Sequence, residues 1–104
     1  MAAKIGGVSL TAATPANVHT AGADGGTYHV NMYNGAADSA AVVRLGISST
    51  TDAFEAALEL FDNLTLQPDE TRDFSGIVCD GTDKYIVGES SVTGVVMVAM
   101  GHDE

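Results

Sequence analysis

TYHVNMYNGAADSAAVVRLGIS, residues 27–48, alternates, breaks, and alternates again. In its first part Tyr28, Val30 and Met32 fall on one side and Thr27, His29, Asn31 and Tyr33 on the other, the period of two expected of a strand with one buried face. Asn34-Gly35 opens a break of small residues, and residues 34–39 read as the turn of a hairpin. Beyond it Ala41, Val43, Leu45 and Ile47 share a face, opposite Val42, Arg44 and Gly46. Arg44 leaves the core without breaking the pattern. Its guanidinium fork is expected to bridge to a carboxylate on a neighbouring strand, with Glu59 and Asp73 as the candidates, in preference to one on another subunit.

The same alternation recurs on either side of this stretch. Residues 5–10 form a first candidate strand, with Val8 and Leu10 on one face. The segment TAATPANVHTAGADGG is rich in turn residues and holds one extended piece at residues 18–20. TTDAFEAALELFDNLTL is mixed: Thr51 or Asp52 suits a helix cap, so a short helical turn is expected near residues 52–56, followed by a strand over residues 57–66. QPDETRDF is a polar turn, and FSGIVCDGTDKYIVGES reads as a hairpin closed by residues 80–83. In VTGVVMVAMG either Val92, Val96, Val98 and Met100 align on one face, with a bulge at Gly94, or Val95, Met97 and Ala99 form the alternate face. A strand apolar on both sides is expected to be central, or pressed against another subunit.

Short strands separated by turns every eight to twelve residues define an all-β chain, one antiparallel β-sandwich of jelly-roll or Ig-like type with about 7–8 strands and one short helical turn. At 104 residues the chain is expected to form a single domain, 1–104, with residues 1–14 as an N-terminal arm.

Composition narrows the function. Fourteen acidic against four basic residues give a formal charge of -10, which repels phosphate backbones and anionic lipid, so neither nucleic acid nor membrane is an expected partner. Cys79 has no partner for an internal disulfide and no neighbouring cation to activate it, and is expected to be a buried, inert thiol of a protein made in a reducing cytoplasm. MAAKIGGVSL lacks a hydrophobic stretch of signal length, and no apolar run approaches a membrane span.

A search for chemistry finds ordinary explanations. His19, His29 and His102 share no ligand spacing, and the carboxylates of residues 69–73 and 80–83 lack the oxygen periodicity of a calcium loop. No G-x-S-x-G elbow is present, and GADGG precedes no helix that would cradle a phosphate. The expectation is a chain without catalytic residues, metal, cofactor or small-molecule substrate. Tyr33 stands on an outward face, where it suits a contact surface.

The order of segments resembles a group of small virion structural proteins of tailed bacteriophages. The residues that carry the likeness are VNMYN with its NG turn, VVRLGIS, FSGIV after a proline turn, DGTDKYIV, and a final valine-rich strand ending MG, within residues 26–101. The resemblance implies a non-enzymatic β-sandwich in the virion. Its foremost form is a capsid decoration or cement protein, bound to the major capsid protein on the outer shell and self-associating, with a trimer as the first expectation. The alternative it implies is a tail, neck or fibre-associated module, with glycan contact through Tyr33; outside it stands an unrelated Ig-like binding module. Partner-contact candidates are Lys4, Ile5, Val8, Leu10, Tyr33, Arg44, Val96 and Met97, with residues 1–14 and 21–26 as the segments most suited to docking.

Overall fold

The computed structural model describes residues 3–36, 38–54 and 59–103, with side chains at all of these except 3–5, 62 and 103. Among the described residues eight strands follow one another: β1 (Ala3–Ser9), β2 (Ala16–Thr20), β3 (Gly26–Asn34), β4 (Ala41–Ser48), β5 (Glu59–Leu66), β6 (Thr71–Cys79), β7 (Tyr85–Ser90) and β8 (Val95–Asp103). They form two four-stranded antiparallel sheets: sheet A in the order β1-β8-β3-β6 and sheet B in the order β2-β7-β4-β5. No helix occurs among the described residues, and so none long and apolar enough to cross a membrane.

The pairing has a simple rule. β1 lies against β8, β2 against β7, β3 against β6 and β4 against β5. The chain is one long antiparallel hairpin, closed by the connection between β4 and β5, and rolled so that β8 also meets β3 and β7 also meets β4. Of the two sandwich types expected, this is the jelly roll.

The rule corrects two expectations. β3 and β4 are not a hairpin: residues 35–40 carry the chain from sheet A to sheet B. Likewise residues 80–84 connect β6 in sheet A to β7 in sheet B rather than closing a hairpin. Both segments have the turn chemistry of hairpins, but a rolled hairpin brings each strand to a partner distant in sequence, which local turn signals do not encode. Residues 51–54 are bends or irregular rather than helical, and the rest of the expected helical turn, residues 55–56, lies outside the described residues. The expected N-terminal arm is, over Ala3–Ser9, the edge strand β1, and Leu10 beyond it is buried, because the apolar run of β8 supplies a full-length partner.

The core lies between the sheets. Tyr28, Val30 and Met32 of β3 meet Val43 and Leu45 of β4, Ile86 of β7 and Met97 of β8, all at most 2% exposed. β8 contributes Val95, Met97 and Ala99 inward, the second of the two faces its sequence allowed, and is central in its sheet. β-Bulges explain why β5 had an uneven pattern: two residues of β5 stand opposite Arg44 alone, so Phe61 and Leu64, three apart, both pack against the core. A second bulge places Ser75 and Gly76 of β6 opposite His29, with Gly76 at φ 78°, a left-handed conformation that glycine adopts without strain.

Candidate contact surfaces

Arg44 projects from the outer face of sheet B, between β5 and β7, and its fork engages both neighbours. Nε donates to Glu59 Oε2 at 3.0 Å and Nη2 to Glu59 Oε1 at 3.2 Å, while Nη1 donates to Glu89 Oε1 at 2.9 Å. The guanidinium also stacks on Phe54, 4.0 Å from the ring centroid. Hydrogen bonds to Glu59 first, then to Glu89, raise its already high pKa, although partial burial acts against them. Phe54 continues over Gly46, where a Cβ would meet its Cδ1 at 3.1 Å, and Val87, the register partner of Gly46, is fully buried. Arg44 therefore clamps three strands and the β4–β5 connection at Phe54. Glu59 is the bridge partner the sequence suggested. Asp73 is not: it lies on β6 in the other sheet and accepts from Asn31 Nδ2 at 2.7 Å.

Beside the clamp is an open cleft of about 260 Å³ lined by Ala13, Val42, Arg44, Glu89, Ser90 and Ser91. Its polar groups are largely committed to the fold: Ser91 Oγ accepts from Val42 N at 2.9 Å and Ser90 Oγ from Val92 N at 3.1 Å. Val42, 38% exposed, is the apolar rim.

The outer face of sheet A has a different chemistry. Val96, Val98 and Met100 of β8 stand half-buried along its centre, opposite Tyr33, Asn31 and His29 of β3 in register. Val78 on the edge strand β6 is 65% exposed, and Tyr33 39%. Tyr33 is held at one end of the face by donating its hydroxyl to Asp69 Oδ1 at 2.9 Å, a bond that raises its pKa.

Charge is divided just as unevenly. The four strands of sheet A contain Lys4, Arg72, Asp73 and Asp103, two of each sign. Subtracting these from 14 acidic and 4 basic residues leaves 12 and 2, so the whole -10 belongs to sheet B, the connections and the chain ends.

The predicted contact residues separate by face. Tyr33 and Val96 are on the outer face of sheet A, and Arg44 on that of sheet B. Val8 packs against the core, while Leu10 (1% exposed) and Met97 (fully buried) are part of it, so the apolar character that singled them out is spent inside the fold. Lys4 and Ile5 lie in β1 opposite Gly101 and Met100, their side chains outside the described residues. Within residues 21–26 a second glycine requirement appears: Gly25 has φ 86°, and a Cβ there would collide with the Cys79 carbonyl oxygen.

Two features were not singled out from the sequence. Asn34, fully buried, donates through Nδ2 to Ser39 O at 2.8 Å and Leu66 O at 3.0 Å, and its Oδ1 accepts from Ala36 N at 2.9 Å. Its backbone adds bonds to Glu70 O at 3.0 Å and from Asp69 N at 2.9 Å, knotting two connections to the end of β3. Glu89 was the other. The rolled-hairpin rule would have placed it beside Arg44; local patterns do not. Cys79 is buried as expected, and burial, then the charge of Asp80, pushes its thiol up to about 11. Among the described residues no three His, Cys, Asp or Glu side chains gather to hold a metal ion.

Fold and surfaces define a small acidic jelly roll with one charged, clamped face and one face along which Val96, Val98 and Met100 stand half-buried. No family model matches the chain, and no curated protein matches its sequence. Among solved structures it is similar to a chain of the cyanophage Pam1 capsid asymmetric unit, with TM-score 0.50 and 13% identity over 95% of this chain and 81% of that one. It also superposes on part of IMPa from Pseudomonas aeruginosa, solved in complex with an O-glycopeptide, with TM-score 0.48 and 14% identity over 96% of this chain and 12% of that one. What this chain shares with the capsid chain is the fold.

Proposed function

We propose that this chain is a non-enzymatic structural protein of a tailed-bacteriophage virion, a decoration or cement protein bound to the outer surface of the capsid. The observation that carries the reading is architectural: a single jelly roll that matches a capsid chain over most of both lengths. The segment order of residues 26–101 supports the same class independently. The polar clusters also fit a structural role. Arg44, Asn34 and the 80–83 turn direct their hydrogen bonds into the fold, as a module whose task is to persist and dock would require. Surface copies repeated on a shell gain avidity from modest contacts, and the negative charge keeps such a protein soluble at high copy number.

The test is location. Particles carrying an epitope-tagged chain, decorated with gold-labelled antibody, are expected to show label over the whole shell. Label restricted to the tail, the neck or one vertex would favour the tail, neck or fibre placement instead, and no label on particles would overturn the virion reading.

A further inference from the structure

We infer that Asn34 is a deamidation site held closed by the native fold, so that its conversion to aspartate or isoaspartate records opening of the β3–β4 connection and marks the opened chain irreversibly. The chemistry begins with the sequence. Asparagine converts when the backbone nitrogen of the next residue attacks its side-chain carbonyl carbon, and that next residue governs access. Asn17, Asn31 and Asn63 precede Val18, Met32 and Leu64, whose side chains crowd the nitrogen, whereas Asn34 precedes Gly35, which has no Cβ. In an open chain Asn34 is therefore the reactive one.

Folding opposes each part of the step. The Gly35 nitrogen must lose its proton to attack, and it donates that proton to Gly94 O at 3.1 Å. The Asn34 carboxamide must be free to bring its carbon onto that nitrogen and to release Nδ2, yet Nδ2 is anchored on Ser39 O and Leu66 O, Oδ1 accepts from the Ala36 amide, and the residue is fully buried. Gly35 itself is exposed, so base reaches it and the protection lies with the side chain of Asn34. Once the connection opens, Gly35 N bonds to Asn34 Cγ, the Cγ–Nδ2 bond breaks, and Nδ2 leaves as ammonia with a proton from solvent, closing a succinimide ring. Water then adds to either ring carbonyl and gives aspartate or isoaspartate. Neither product restores the knot. The new carboxylate has no donor for the carbonyls of Ser39 and Leu66, and isoaspartate also lengthens the backbone at the end of β3 by a methylene.

The inference rests on Asn34 and its partners and holds whether or not the chain belongs to a virion. Native protein, and protein in urea above its unfolding midpoint, are incubated in the same mildly alkaline buffer, and conversion at each asparagine is followed by peptide mapping with mass spectrometry. Conversion at residue 34 is expected to be at least about tenfold faster in urea, since the native protein reacts only when it opens. Gly35→Ala, compared in urea where folding plays no part, is expected to slow it, which identifies the Gly35 nitrogen as the attacking group. Converted protein, returned to buffer and unfolded again, is expected to have a lower urea midpoint than unconverted protein carried through the same cycle. Equal rates in folded and unfolded protein, conversion in urea led by Asn17, Asn31 or Asn63, a rate in urea indifferent to Gly35→Ala, or an unchanged midpoint of the converted protein would each overturn the inference.

Discussion

Replacing Asn34 by alanine removes the side chain that ties the end of β3 to two connections at once. Three hydrogen bonds disappear: those to the carbonyls of Ser39 and Leu66, and the one from the Ala36 amide. A typical hydrogen bond contributes about 1 kcal/mol net, and a buried group left without its partner costs more, so the three together amount to about 3 kcal/mol or somewhat above. Against a stability of about 5–15 kcal/mol for a domain of this size, that is a large share. With a urea slope of about 1.5 kcal/mol per molar, the unfolding midpoint falls by about 2 M. Asn34→Asp separates charge from shape: it is close in size and keeps an acceptor for Ala36, but it turns carboxylate oxygens toward two carbonyls, and is expected to cost at least as much. The assay is urea unfolding followed by circular dichroism. A loss below about 1 kcal/mol for Asn34→Ala would mean that solvent or small shifts satisfy those groups as well as the amide does, and that Asn34 does not hold the connections together.

Three further outcomes follow from particular residues. A double-mutant cycle between Arg44→Met and Glu59→Gln is expected to give a coupling of about 0.5–1 kcal/mol, because the Arg44 side chain is 36% exposed and solvent screens the pair, and Arg44→Lys is expected not to restore it, since an ammonium cannot span both Glu59 oxygens; zero coupling would remove the clamp. Cys79, buried with its thiol at about 11, is expected to react with a thiol reagent at neutral pH only at the rate of unfolding, and prompt labelling of the native protein would contradict its burial. Glu70 is held below its ordinary range by the Gln67 amide and then Arg72, and Asp80 by the amides of Asp83 and then Thr82; groups lowered by folding add stability that is complete above their unfolded values near pH 4 and fades as pH falls through the lower native values. Unfolding midpoints are therefore expected to drop on the acid side in a way that Glu70→Gln combined with Asp80→Asn flattens, and an unaltered acid limb would show that the lowered values carry no stability.

Much of the fold was legible because the inward positions are chemically uniform. The alternation of Tyr28, Val30 and Met32 against Thr27, His29, Asn31 and Tyr33 gave β3 its two faces, and Ala41, Val43 and Leu45 did the same for β4. What local pattern does not contain is which strand lies next to which. Asn34-Gly35 and residues 80–83 carry the same turn chemistry whether the chain doubles back within a sheet or crosses to the other, and here it crosses. That one ambiguity accounts for the substitution of Glu89 for Asp73 beside Arg44. Bulges hid the register of β5 for a related reason: an extra residue on one strand shifts the inward set by one, and the period of two is lost. Asn34 escaped notice because asparagine before glycine is ordinary in a turn, and only the assembled structure buries it between carbonyls.

The contact surfaces show the same division. Exposure of Tyr33 was readable from strand parity, whereas Leu10 and Met97 were apolar for the sake of the core. That the strands of sheet A sum to zero charge was invisible in a linear count, since Lys4, the adjacent pair Arg72 and Asp73, and Asp103 lie on three strands that join only when β1, β6 and β8 enter one sheet.

Copy number distinguishes a decoration protein from a tail or neck component. Particles banded on a density gradient from cultures that make this chain, analysed by quantitative mass spectrometry against their major shell protein, are expected to contain on the order of hundreds of copies each, as a repeated surface module on a symmetric shell requires. A few copies per particle would contradict the decoration role and move the chain to the tail or neck, and a chain that remains entirely in the soluble fraction would contradict its place in a virion.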